Sequence, residues 1–125
     1  MNSQAVLVLG NHANRDLVQT LSRVSFAPQV WGSMRHSLDK LLHQRFAAVI
    51  VDRKFTHADV LEFILNVRDI NREIPIVVIG SGKDEQMDQK IRRQGDTIIL
   101  NGSERDNVLR EKLADALKGS ENQDV

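Results

Sequence analysis

Four short runs of consecutive apolar residues, rich in valine and isoleucine, constrain the fold of this chain more than any other feature. They span residues 5–10, 47–52, 74–80 and 97–100. A strand with one solvated face alternates apolar and polar side chains, whereas an unbroken apolar run belongs to a strand covered on both faces. The runs therefore predict a parallel sheet between two layers of helices. A weaker, shorter run at residues 28–32 predicts a strand at the edge of the sheet.

The segments between these runs have apolar residues at helical spacing. The apolar stripes comprise Leu17, Val18, Leu21 and Val24; Leu38, Leu41 and Leu42; Val60, Leu61, Ile64, Leu65 and Val67; and Val108, Leu109, Leu113, Ala116 and Leu117. Thr56 and Asp59 are placed as a capping box for the third of these helices. A further helix near residues 83–95 has only Met87 and Ile91 as apolar anchors, which predicts weak packing.

Strands and helices thus alternate five times along the chain, with short connections. Right-handed crossovers turn this order into an open, doubly wound sheet of the flavodoxin-like α/β class, with strand order 2-1-3-4-5 and helices on both faces. A length of 125 residues suits one domain. We place that domain at residues 1–118 and a polar tail or linker at residues 119–125.

Composition excludes several classes of function. Seventeen basic residues balance seventeen acidic ones, so we expect no direct binding to nucleic acid. No run approaches the roughly eighteen apolar residues of a membrane-spanning helix, and the N-terminus does not have the pattern of a signal peptide. The absence of cysteine excludes disulfides and thiolate metal sites. These features predict a cytoplasmic protein without membrane attachment.

A single carboxylate, Asp52, ends the second apolar run. Ligands of doubly wound sheets bind at the carboxyl ends of strands where the strand order reverses, which here lies beside Asp52. Phosphoryl transfer to such an acid requires three further features: acids that hold Mg²⁺, a hydroxyl, and a fixed cation. We expect Arg53, Lys54 or Lys83 to fold over Asp52 and neutralise it. The other side chains expected at this edge are Asn11, Ser81 and Asn101.

The length, the five-fold alternation and an aspartate closing the third strand resemble the receiver domain of two-component response regulators. The resemblance covers essentially the whole chain, but only the phosphoacceptor of the family's motif is present, at Asp52. Gly10 and Asn11 stand where the family has its paired acids. Gly80 stands at the threonine or serine position, and Asn101 at the lysine position. The resemblance therefore implies a degenerate, or pseudo-, receiver with weak or absent Mg²⁺ binding and no enzymatic activity.

The same resemblance implies how such a domain would act. Receivers make dimer and output contacts through their fourth helix, fifth strand and fifth helix. The corresponding candidates here are Met87, Ile91, Ile98 and Leu109. The expected partners are a second copy of the chain, a histidine kinase and a downstream output domain, such as that of a transcription regulator.

The residues also allow two other functions. Asp52 could be a working phosphoacceptor, with Asn11 and Ser81 as imperfect replacements for the family's residues. Alternatively, the crevice at the strand ends could bind a small ligand. His12 and His57 follow two of the strands, and with Asp52 they could hold a transition metal there.

Overall fold

The computed structural model describes residues 4–11, 15–23, 25–56, 59–80 and 82–100, together with residues 111, 114 and 115. The strands are β1 (Gln4–Leu9), β2 (Phe26–Trp31), β3 (Ala48–Asp52), β4 (Ile76–Ile79) and β5 (Thr97–Leu100). The helices are α1 (Arg15–Arg23), α2 (Met34–His43), α3 (Val60–Ile70) and α4 (Glu85–Arg92), and a 3₁₀ turn spans Arg53–Phe55. The strands form one parallel sheet in the order β2-β1-β3-β4-β5, which confirms the predicted flavodoxin-like topology.

The predicted strands are all present, and their ends differ from the prediction by at most two residues. Strand β2 lies at the edge of the sheet, as expected. It begins earlier than the proline because Phe26 is buried and because Ser25, with φ of 69°, turns the chain into the strand. Gly80, with φ of +103°, turns the chain out of β4.

The two faces of the sheet bury separate apolar layers, because side chains alternate along each strand. The layer that contains the inner residues of α1 includes Val6, Val8, Leu17, Leu21, Phe26, Ile50, Val77 and Ile79. The layer under α2, α3 and α4 includes Leu7, Leu9, Leu41, Val49, Val51, Phe63, Ile64, Val67, Val78 and Ile91. The sheet is therefore covered on both sides, as its unbroken apolar runs predict.

Helix α3 corrects two details of the prediction. Its N-cap is Asp59, whose side chain accepts a hydrogen bond from the backbone N–H of Glu62, so the cap lies three residues after Thr56. Phe63 is completely buried, whereas Leu65, placed by its spacing on the inner stripe, is 44% exposed. Apolar residues occupy seven of the eleven positions of this helix, so the spacing alone does not identify the buried face.

Arg68, in the last turn of α3, ties that helix to the amino-terminal ends of β4 and β5. Its guanidinium donates five hydrogen bonds, to the carbonyl oxygens of Gln94 (2.6 Å), Ile74 (2.7 Å), Asp96 (2.9 Å) and Asn71 (3.3 Å) and to Oγ1 of Thr97 (3.0 Å). Burial lowers the pKa of Arg68, and the nearby charge of Asp96 opposes this shift. Arginine stays protonated despite such shifts, so these interactions persist at all physiological pH values.

Helix α2 packs differently from its predicted stripe, because Leu42 is 64% exposed and only Leu41 is buried deeply. Ser33 caps the helix by accepting a hydrogen bond from the N–H of His36. Trp31, at the end of β2, packs against the core, and the ammonium of Lys40 lies 5.2 Å from its ring centroid. Trp31 therefore serves as a cover for this end of the apolar layer.

The fifth helix and the polar tail fall mainly outside the described residues. Residues 111, 114 and 115 are helical, in agreement with the prediction for that segment. The proposed boundary between residues 118 and 119 stays a prediction. Among the helices that the structure describes, none is long and apolar enough to cross a membrane.

Candidate functional site

Asp52 is the last residue of β3 and lies at the carboxyl edge of the sheet, in register with Ile79 of β4. It is only 2% exposed. Gly10, directly after β1, approaches it so closely that a Cβ on Gly10 would lie 3.1 Å from the Cβ of Asp52 and 3.8 Å from its Oδ2. Carbon atoms normally pack about 3.5–4.0 Å apart. The end of β1 is therefore shaped for glycine beside Asp52, and a side chain at position 10 would require a shift.

The described residues that follow β1 offer no second carboxylate beside Asp52 for a magnesium ion. Mg²⁺ is usually held by carboxylates in a near-octahedral arrangement. Gly10 has no side chain, and Asn11, which is exposed, offers only a neutral amide. Within the described ranges, no group of three or more histidine and acidic side chains is placed to hold a metal.

Several predicted site residues lie outside the part of the chain that the structure describes. They are His12, His57, Ser81, Asn101 and Leu109. The replacement hydroxyl, the asparagine at the lysine position and the two-histidine metal site therefore stay predictions. Lys54 and Lys83 are described, and both are exposed.

Arg53, a predicted neighbour of Asp52, directs its guanidinium to the connection between β4 and α4. Its Nη1 donates to the carbonyl oxygen of Gly80 (3.0 Å), and its Nη2 donates to Oδ1 of Asp88 (2.8 Å). The second carboxylate oxygen of Asp88 accepts the backbone N–H of Gly82 (3.0 Å). The side chain of Arg53 is 14% exposed and that of Asp88 is 1% exposed. This arrangement is a largely buried ion pair that joins the end of β3 to α4.

Two glycines in the β4–α4 connection provide the space for this ion pair. A Cβ on Gly82 would lie 2.8 Å from Oδ1 of Asp88 and 3.1 Å from Nη2 of Arg53. A Cβ on Gly80 would lie 3.4 Å from the Cβ of Arg53, and its φ of +103° favours glycine independently. A receiver has its threonine or serine at the position of Gly80. In this chain the side chain of Arg53 occupies the space next to that position.

Electrostatics keep Asp88 ionised in spite of its burial. Burial by itself raises the pKa of Asp88, but hydrogen bonds from Arg53 and Gly82 and the charges of Arg53 and Arg92 outweigh it. The pKa of Asp88 is therefore held below its usual value of 3.8.

The lowered pKa predicts how the stability of this region depends on pH. An acid whose pKa is lower in the folded state stabilises the fold above its unfolded pKa of about 3.9 and loses that contribution as the pH falls through the folded value. Asp88→Asn should therefore reduce the free energy of unfolding at neutral pH and matter progressively less below about pH 4. Urea unfolding of both proteins over this range measures the difference. A difference that does not change with pH would contradict the assignment.

Helix α4 corrects the predicted partner surface. Ile91 is completely buried and Met87 is partly buried, and both pack against the core. Ile91 is therefore an anchor of α4 rather than a residue available to a partner. Ile98 of β5 is 36% exposed and keeps its predicted place on the surface.

The sequence reasoning missed Asp88, whose ion pair with Arg53 adds a polar contact to the two apolar anchors of α4. Asp88 lies one residue after Met87 and three before Ile91, which places it on the buried face of the helix. An acid on the apolar face of a helix is a usable signal, because a buried carboxylate requires a partner. The partner is thirty-five residues away in the sequence, so its identity came only from the fold.

Comparisons with known proteins agree with this architecture. No protein-family model matches the sequence, and no curated protein matches it. A CheY-like response regulator receiver domain from Methanospirillum hungatei superposes with a TM-score of 0.77 and 15% identity, over 98% of this chain and 99% of that one. The chemotaxis response regulator CheY4 of Vibrio cholerae gives a TM-score of 0.75 and 18% identity, over 93% and 99% of the two chains.

A third similar structure is the receiver domain of the sensor histidine kinase PA1611 from Pseudomonas aeruginosa. It superposes with a TM-score of 0.72 and 16% identity, over 93% of this chain and 98% of that chain. That receiver was solved with a magnesium ion coordinated in its active-site cleft. At these identities the likeness shows the fold, and the chain has the receiver fold along nearly its whole length.

Proposed function

We propose that this chain is a receiver-like signalling module that regulates an output through protein contacts, without Mg²⁺-dependent phosphorylation of Asp52. The proposal rests on the residues at the carboxyl ends of β1 and β3 and on the burial of Asp52. Asp52 is 2% exposed and has a glycine and a neutral amide where a receiver has two acids. We assign no catalytic reaction to the domain.

The chemistry of phosphoryl transfer explains why this arrangement favours a silent site. A phosphoryl group brings up to about two negative charges to the acceptor, and a divalent cation must neutralise them while the group is transferred. With one buried carboxylate beside Gly10 and Asn11, the cation would bind weakly. The donor would also have to reach an acid that is almost completely covered.

We assign the partner contacts to the outer side of α4 and to β5. Ile98 contributes exposed apolar surface, and the exposed residues of α4 are Glu85, Gln86, Gln89, Lys90 and Arg92. A mostly polar surface with little apolar area is typical of contacts that form and break during signalling. The proposed partners are a second copy of the chain, a histidine kinase and a downstream output domain.

The amide NMR spectrum tests the silent site. We expect no coordinated change when millimolar Mg²⁺ and then beryllofluoride, a mimic of the phosphoryl group, are added to the protein. The matched control is Asp52→Asn, which removes the acceptor carboxylate. Shifts of Asp52, β4 and β5 resonances in the native protein that are absent from Asp52→Asn would overturn the proposal and make the chain a working phosphoacceptor.

A further inference from the structure

We infer that the Arg53–Asp88 ion pair fixes the position of α4 and of the β4–α4 connection whatever the charge of Asp52. The event that changes the α4 surface is then the opening of this ion pair. This regulatory role, as distinct from the ion pair itself, rests on the proposed function, in which α4 carries the partner contacts.

The geometry of the guanidinium supports a fixed position. The guanidinium of Arg53 contacts two separate segments. Its partners are the carbonyl oxygen of Gly80, at the end of β4, and the carboxylate of Asp88, inside α4. Such paired contacts restrict orientation more than a single point charge does. The other carboxylate oxygen of Asp88 accepts a hydrogen bond from the backbone N–H of Gly82. The connection is therefore bound at Gly80 by Arg53, the residue that follows Asp52, and at Gly82 by Asp88.

Burial restricts the Arg53–Asp88 ion pair to two main states, fully formed and fully open. With side-chain exposures of 14% for Arg53 and 1% for Asp88, neither charge can leave the other without remaining buried and uncompensated, which is strongly unfavourable. The ion pair therefore opens only when α4 itself moves away from the sheet. By contrast, the Glu85–Arg92 pair on the same helix is exposed, with 72% and 46% of the two side chains accessible, and it restrains little.

The sequence places the Arg53–Asp88 ion pair directly beside the phosphoacceptor position. Arg53 directly follows Asp52, and its side chain lies next to Gly80, the position of the receiver's hydroxyl. Here an arginine makes the connection to α4 through its own charge, so the contact requires no phosphate.

Hydrogen exchange of the full chain, measured by mass spectrometry, tests the inference. Asp88→Asn should raise the exchange rate of amides in residues 82–93 by on the order of a hundredfold more than that of amides in β1 and β3, whose rates report only the loss of overall stability. Glu85→Gln is the matched control, because it removes the exposed ion pair from the same helix but keeps the charge of Arg92, which acts on Asp88, and it should leave all these rates unchanged. No increase, or an equal increase throughout the sheet, would overturn the inference.

Two further variants keep the result interpretable. Arg53→Met combined with Asp88→Leu removes both charges but keeps the apolar volume, so it should fold and still exchange faster in residues 82–93. Asp52→Asn should leave exchange in residues 82–93 unchanged, and an increase equal to that of Asp88→Asn would show that α4 depends on Asp52. Binding of beryllofluoride with α4 exchange unaltered would reject the silent site alone. If Asp88→Asn does not raise exchange in α4, the role of the ion pair in fixing the helix is rejected, and the proposal of a silent site is not affected.

Discussion

Replacement of Arg68 by methionine is expected to lower the free energy of unfolding by about 3–5 kcal/mol. The guanidinium uses all five of its N–H donors, and four of the acceptors are backbone carbonyl oxygens that close the turn from α4 into β5 or the turn from α3 into β4. A methionine fills the same space but donates nothing. Partly buried carbonyls left without partners cost about 1–3 kcal/mol each, and entry of water reduces the total.

Arg68→Lys separates the charge from the geometry of these contacts. Lysine keeps the positive charge but has three donors on a flexible stem, so it cannot reach acceptors from both turns at once. We expect it to recover less than half of the loss. Thermal unfolding measures the effect, which for Arg68→Met should be a decrease in Tm on the order of 15 °C.

Arg92→Met is the matched control for Arg68→Met. Arg92 donates a hydrogen bond to Glu85 at 3.2 Å on the exposed side of α4. Its replacement should change the free energy of unfolding by no more than about 0.5 kcal/mol. If Arg68→Met is as mild as this control, water satisfies the carbonyl oxygens and the hydrogen-bond network does not stabilise the fold.

The sheet could be predicted from the sequence because its strands are buried on both faces. Each strand is then an unbroken apolar run, and right-handed crossovers with five strand–helix units favour the doubly wound order 2-1-3-4-5. The edge position of β2 followed from its weaker, shorter run. The position of Asp52 at the carboxyl edge followed directly from the end of β3.

The packing of the helices and the polar contacts could not be predicted in the same way. In α3 the spacing suggested Leu65 rather than Phe63, because apolar residues cover more than half of the helix surface. Arg68 looks like a surface residue in the sequence, and the place of Asp88 between Met87 and Ile91 indicates burial without identifying its partner. Their contacts join residues that are three to thirty-five positions apart, and the path of the loops brings the distant ones together.

Removal of Arg53 is the second change with a large expected effect. Arg53→Met should lower the free energy of unfolding by about 3–5 kcal/mol, because it leaves the carboxylate of Asp88 buried without its cation. The N–H of Gly82 then remains as the partner that the structure gives for that carboxylate. Asp88→Leu should have a loss of similar size for the complementary reason. Urea unfolding of the single variants at neutral pH measures both losses.

The double variant decides whether the ion pair exists for stability or for position. Replacing a buried ion pair by apolar residues of similar size is often close to neutral, so Arg53→Met with Asp88→Leu should unfold within about 1 kcal/mol of the native protein. The resulting coupling in a double-mutant cycle would exceed the roughly 0.5–3 kcal/mol range of most contacting pairs. Simple addition of the two losses would mean that each side chain acts through other contacts. A stable double variant with a loosened α4 would mean that these charges specify where the helix lies, since the stability does not require them.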